Sequence, residues 1–446
     1  MANSIVSVRR TPSLLIKLLK SLRCTMRGRL AETATRAHSK SFFASQLLFA
    51  AACMAFAAPA PNWIGSWTAP QQIPEPNNAV PLESLQDSTL RQIVHLSVGG
   101  SSIRVRVSNA FGTAPLHLLA VHVARPLSPA VSRIDPSSDR TVRFNEQGDI
   151  LIPAGAEYTS DPLNYVVAAM SDLAITMRIE AAPGQETGHP GSRASSYLGT
   201  GLPASAAEMT GAQTIEHWYF LSGVDVSGSA ASSAVVALGD SITDGHGATT
   251  NGNDRWTDDL VSRLQRSAPA GGSAVLNQGI GGNRLLTDGL GPNVLARFDR
   301  DVLAQSGVRY LIVLEGINDL GMLTRTTMVS DGQHEDLVRR MIGAYSQIIV
   351  RAHAHGIKVI GGTLLPFMGS DFYHPTVSNE FDRKILNAWI RAPGHLDAVI
   401  DFDATMADPA HPDRLRADYD SGDHLHPSPR GYRAMADAIP LELFRK

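Results

Sequence analysis

Four short clusters in the second half of the chain hold residue types suited to acyl transfer. The first, residues 239–245 (GDSITDG), follows the apolar run 234–238 (AVVAL). A serine on a strand-to-helix turn projects its hydroxyl outward while its own N–H faces a bound carbonyl oxygen; the same residue serves equally as a helix N-cap. The second, residues 277–283 (NQGIGGN), follows the apolar 274–276. Its glycines let backbone amides approach a ligand closely, or simply make a turn. Their spacing does not match a dinucleotide fingerprint, and no Walker lysine follows. The third, residues 316–319 (GIND), offers the Asn318 amide as a donor to a developing oxyanion, or as the side chain of an Asx turn. In the fourth, residues 423–427 (DHLHP), Asp423 stands three positions before His426. A carboxylate at that spacing can hold one imidazole nitrogen while the other faces a nucleophile; the bland alternative is a loop at the surface.

Taken together the clusters supply a nucleophile, oxyanion donors and an Asp/His pair, the roles that an acyl-transfer site requires. Leu238 through Gly245, Gly282, the Gly316-x-Asn318-Asp319 block and Asp423-x-x-His426 resemble the motifs of the GDSL, or SGNH, hydrolases, over about residues 234–441. The resemblance implies a carboxylic ester hydrolase with Ser241 as nucleophile, Asp423 orienting His426, and an oxyanion hole of the Ser241 N–H, the Gly282 N–H and the Asn318 side chain. No cofactor is expected, and no metal: His424, His426 and Asp423 could offer ligands, but no H-E-x-x-H or second His/Asp group at ligand spacing accompanies them. His424 also neighbours Asp423, but the spacing and the following Pro427 favour His426 as the base. Residues 63–67 (WIGSW), 91–95 (RQIVH) and 104–112 (RVRVSNAFG) resemble the amino-terminal β domain of secreted two-domain members of the same family.

The elements that must position these groups fall into two patterns. Residues 91–97, 103–108 and 173–179 alternate apolar and polar side chains, the period of half-buried strands, with turn signals between them. A β-sandwich or jelly-roll-like domain is expected over residues 62–226. The Gly-, Pro- and Ser-rich residues 182–203 read as a long surface loop, and residues 227–233 (SGSAASS) as a linker. From 234 to 446 continuous apolar runs at 234–238, 309–314, 358–364 and 398–402 alternate with helical patterns at 256–264, 337–353, 379–390 and 432–441. That pattern predicts a three-layer α/β/α catalytic domain on a parallel, flavodoxin-like sheet. Functional groups in such sheets collect at the carboxyl ends of the strands.

Composition narrows the function classes. A formal net charge of -3 over 446 residues carries no footprint for nucleic acid. The two cysteines, Cys24 and Cys53, lie before residue 60. The apolar run 42–57 follows Arg27, Arg29, Arg36 and Lys40 and ends in small residues, which reads as a signal peptide within a leader spanning 1–60. Its removal would leave no cysteine nucleophile, thiolate site or disulfide, in a secreted protein without stable membrane insertion. No G-x-S-x-G elbow occurs, and no lysine follows a serine by three positions. The expected substrate is a short-chain carboxylic ester, including O-acetyl groups on carbohydrate. The competing readings are a carbohydrate-binding or adhesion protein on a non-catalytic hydrolase fold, and a lipase or lysophospholipase acting on longer chains.

Overall fold

A computed structural model describes residues 62–181, 183–229, 232–267 and 272–445. The leader, with its expected signal peptide and both cysteines, lies outside the described residues.

Five parallel strands run in the spatial order Ala274–Gly279, Ala234–Gly239, Val308–Leu314, Lys358–Gly362 and Ala398–Ile400. In chain order this is 2-1-3-4-5, so the chain leaves the first strand toward opposite edges and creates a switch point there. Residues 234–239 are buried throughout, as a strand covered on both faces requires. Gly239 stands level with Gly279 on one neighbour and with Leu314 on the other. That register brings the turns after all three strands to one edge. Helices Trp256–Ser267, Asp331–Ala354, Val377–Arg391 and Pro429–Asp437 accompany the sheet. The last was expected to reach residue 441. It stops at Asp437 because Pro440 has no N–H to continue it and disfavours helical geometry at Ile439; a short 3-10 turn, Leu441–Phe444, follows.

The amino-terminal region is antiparallel. One sheet runs Asn62–Thr68, Leu221–Gly228, Gly100–Ser108, Glu157–Thr159, with Leu163–Val167 also paired to Gly100–Ser108. The other runs Gln213–Ile215, Ser196–Thr200, Ser88–Leu96, Ser171–Ala181, Leu116–Ala124, Arg140–Val142, with Ile150–Ile152 also on Leu116–Ala124. Inward residues of both sheets, Val105 and Val107 with Val121 and Met177, share one core.

Residues 182–203 are not a surface loop. Gly188–His189 pairs with Trp218–Tyr219, Ser196–Thr200 is a strand of the larger sheet, and Thr187, His189, Ser192 and Ser196 are buried. Gly and Ser punctuate loops, but they are also the side chains that permit close approach. Nor do the two regions part at the expected linker. Ser227 and Gly228 belong to a strand, and residues 61–446 form one compact unit. Thr68 Oγ1 donates to Asn277 O at 3.2 Å, and Ser97 Oγ donates to Val275 O at 2.7 Å. At Gly65 a Cβ would lie 2.8 Å from a Leu276 methyl, so the glycine lets the two strands pack closely without displacing that side chain.

Candidate active site

Ser241 opens a single helical turn, Ser241–Asp244, directly after the first parallel strand. Asp240 caps this turn by accepting the Ile242 N–H at 2.9 Å, and Gly245 ends it at φ 100°, a conformation that favours glycine. The first cluster therefore caps a helix and presents a serine at once, with Asp240 rather than Ser241 as the cap. Ser241 Oγ lies 2.8 Å from His426 Nε2, and His426 Nδ1 lies 2.6 Å from Asp423 Oδ2. The other oxygen of Asp423 accepts the N–H groups of Leu425 and His426, so the carboxylate folds its own loop around the imidazole. Burial works to raise the Asp423 pKa. The hydrogen bond and charge of His426, with the two backbone donors, outweigh it and hold the carboxyl well below the ordinary carboxylate range. His424 is half exposed and turns to Asp420, 2.6 Å away.

Three donors stand at the same edge. The Ser241 and Gly282 N–H groups find no acceptor among the described residues. Gly282 holds φ 70°, at the tip of the loop after the second strand. Asn318 sits in the first turn of Ile317–Thr324, after the third strand, and gives one amide hydrogen to Asn283 O at 2.7 Å. Its Oδ1 accepts the Tyr373 hydroxyl, which fixes the amide with Nδ2 as donor and leaves its second hydrogen uncommitted. Asp319 accepts the N–H groups of Leu285 and Leu286 and so ties the Gly282 loop to the Asn318 turn. The buried Arg297 completes the frame: it donates to Gly239 O, Gln278 O and Asn283 Oδ1 at 3.0, 2.8 and 3.0 Å.

In the segment after the fourth strand, Tyr373 points inward and Phe372 stays half exposed under Arg325. Another residue absent from the motif reading is His246, whose ring lies 4.0 Å from that of His426. Burial, then the neighbouring His426 and Arg193, push its pKa down to about 4. The signal for it was faint: a histidine five places after the serine, one step past the cap.

These residues form the described cluster with metal-ligand geometry: His246, Asp423 and His426 offer ligand atoms within 4.8 Å of one another. Asp423 and His426 are already committed to each other, and His426 to Ser241. Full coordination of an ion would break that relay.

Residues 237–434 match the family model described as GDSL-like Lipase/Acylhydrolase. Those residues are a GDSL-family domain. No curated protein matches the chain. Similar solved structures include a GDSL-like lipase from Bacteroides thetaiotaomicron, 21% identical over 46% of this chain and 85% of that one, with a TM-score of 0.34. An acetyl xylan esterase is 20% identical over 46% of this chain and 96% of its own, at 0.35. An acetyl-xylooligosaccharide esterase from Geobacillus is 19% identical over 49% and 96%, at 0.34.

Beneath the Ser241 turn lies a cluster of buried carboxyls. Burial, with the charge of Asp319 nearby, pushes Asp240 up to about 7; burial pushes Asp319 up to about 6 against two backbone donors. Glu315 is raised further by burial and by Asp240, and Arg297 opposes the shift at Asp240 and Glu315. A carboxyl raised on folding binds its proton more tightly in the native state. The associated stability is complete below the unfolded pKa, near 3.8 for Asp240, and is lost as pH climbs through about 7. Asp240→Asn keeps the cap acceptor without the charge. Its melting temperature relative to wild type is therefore expected to rise between pH 4.5 and 8, as read by calorimetry. A difference that stays constant with pH would contradict this account of the cluster.

Proposed function

We propose that the protein is a secreted serine ester hydrolase in which Ser241 is the nucleophile, His426 the general base and Asp423 its orienting partner. The observation that carries the reading is the continuous relay from Ser241 Oγ to His426 to Asp423, at 2.8 and 2.6 Å. His426 takes the Ser241 proton as the hydroxyl attacks the ester carbonyl. The oxyanion is received by the Ser241 N–H, the Gly282 N–H and the Asn318 amide. The leaving alcohol departs with the proton from His426, and water then repeats the sequence on the acyl-enzyme. The ionised Asp423 meets the imidazolium as it forms. His246, neutral down to about pH 4, places no second cation beside it. The export reading rests on the leader sequence alone.

The substrate reading is a short acyl group, including O-acetyl esters of carbohydrate. His246 and Asp423 flank His426, and the Asn318 amide stands on the oxyanion side, so the groups about Ser241 are polar. On the Asn318 side, Tyr373 packs so closely on Gly321 that a Cβ there would sit 2.4 Å from its ring. For the full-length protein, kcat/KM is expected to fall from p-nitrophenyl acetate through butyrate to palmitate. Preference for palmitate would favour a lipase, and hydrolysis of none of them would favour a binding protein.

A further inference from the structure

The nucleophile turn is only four residues long, and an isolated turn of helix has little stability of its own because nucleation is unfavourable. Its position must be imposed from outside. Much of that support comes from the antiparallel region, through residues 188–195.

His189, on the strand Gly188–His189, is buried and points at the last residue of the turn. Its Nε2 lies 2.9 Å from Asp244 Oδ1, and its Nδ1 lies 3.0 Å from Pro70 O. Trp218 stacks on the imidazole, with ring centres 5.8 Å apart and planes 23° apart. Two residues on, Gly191 passes so close that a Cβ would sit 1.9 Å from Asp244 Oδ2. Further contacts repeat the arrangement. Arg193 Nε donates to Gly245 O at 3.2 Å, and the buried Arg255 donates to Asp244 O at 2.9 Å and also to Ser192 O. Asn251, on the loop after the turn, bonds both Arg193 O and Ser195.

We infer that residues 188–195 are a working part of the catalytic apparatus, with His189 as the positioning residue that sets the nucleophile turn through Asp244. The amino-terminal region then does more than accompany the hydrolase domain: it supplies one wall of the mould in which Ser241 is held. The inference rests on Ser241 being the nucleophile.

The test compares wild type, His189→Ala, His189→Gln and Gly191→Ala as full chains, with p-nitrophenyl acetate turnover and phosphorylation of Ser241 by paraoxon as readouts. A displaced nucleophile loses near-attack geometry, so His189→Ala is expected to lower kcat by about 10- to 100-fold. KM should stay within about twofold of wild type, because substrate contacts are untouched. Phosphorylation by paraoxon should slow in parallel. The glutamine amide still donates to Asp244, so His189→Gln should recover most of the rate. Gly191→Ala should reproduce the loss with the imidazole intact, because its Cβ drives the Asp244 carboxylate away. Should His189→Ala not fold, the other two variants carry the same comparison. Wild-type kcat in the alanine variants, or a loss no smaller in His189→Gln than in His189→Ala, would overturn the inference while leaving the nucleophile assignment intact. A wild type that paraoxon modifies elsewhere than Ser241 would remove the nucleophile assignment, and this inference with it.

Discussion

Ser241→Ala and His426→Ala are each expected to lower kcat by on the order of 10⁴–10⁶, and the double variant by little more than either alone. The two side chains act as one unit. Without the imidazole the hydroxyl keeps its proton, and without the hydroxyl the imidazole has nothing to activate. The geometry makes the coupling tight: His426 is held on one nitrogen by an Asp423 that stays ionised, and its other nitrogen faces Ser241 Oγ at 2.8 Å. His246 cannot substitute for the missing base, because the contact to Oγ belongs to His426 and the His246 ring stands beside it. Steady-state hydrolysis of p-nitrophenyl acetate by the three variants is the measurement. Losses that multiply in the double variant would mean that the residues act in separate steps.

Asn318→Ala is expected to cost on the order of 10²–10³ in kcat, the usual consequence of removing one oxyanion donor. KM should change little, because the bond strengthens as charge develops on the carbonyl oxygen. Tyr373→Phe extends the argument to a residue that touches no substrate. Its hydroxyl bonds Asn318 Oδ1 and thereby decides which end of the amide faces the reacting carbonyl. Losing that bond should lower kcat by about tenfold, the value of one buried hydrogen bond, again with KM preserved. If Asn318→Ala kept full activity, the oxyanion role would be wrong. If Tyr373→Phe raised KM and spared kcat, Tyr373 would belong to substrate binding instead.

What the chain discloses before folding, and what it withholds, follows from the range of the interactions. Strands such as Ala234–Gly239 announce themselves because both faces are buried and the residues run apolar without interruption. Ser241, Gly282 and Asn318 are legible because each sits in a turn just after such a strand, where local chemistry and function leave the same mark. The strand order is not local, and neither is the level register of Gly239, Gly279 and Leu314 that turns three separate motifs into one edge. Tyr373 meets Asn318 across 55 positions and His189 meets Asp244 across 55, with no periodicity to betray either contact. Residues 182–203 misled for a related reason. Glycine and serine mark both a chain that wanders in solvent and a chain squeezed against a neighbour, and composition does not separate the two.

A nucleophilic Ser241 must form a covalent bond with the acyl carbon, and its phosphorylation by paraoxon reports that nucleophilicity most directly. The organophosphate should leave one diethylphosphoryl group on wild-type protein, located by peptide mass spectrometry on Ser241, with loss of esterase activity in proportion. Ser241→Ala should take up none, and His426→Ala should react far more slowly. Modification of a different residue, or full esterase activity in protein carrying the group on Ser241, would contradict the account.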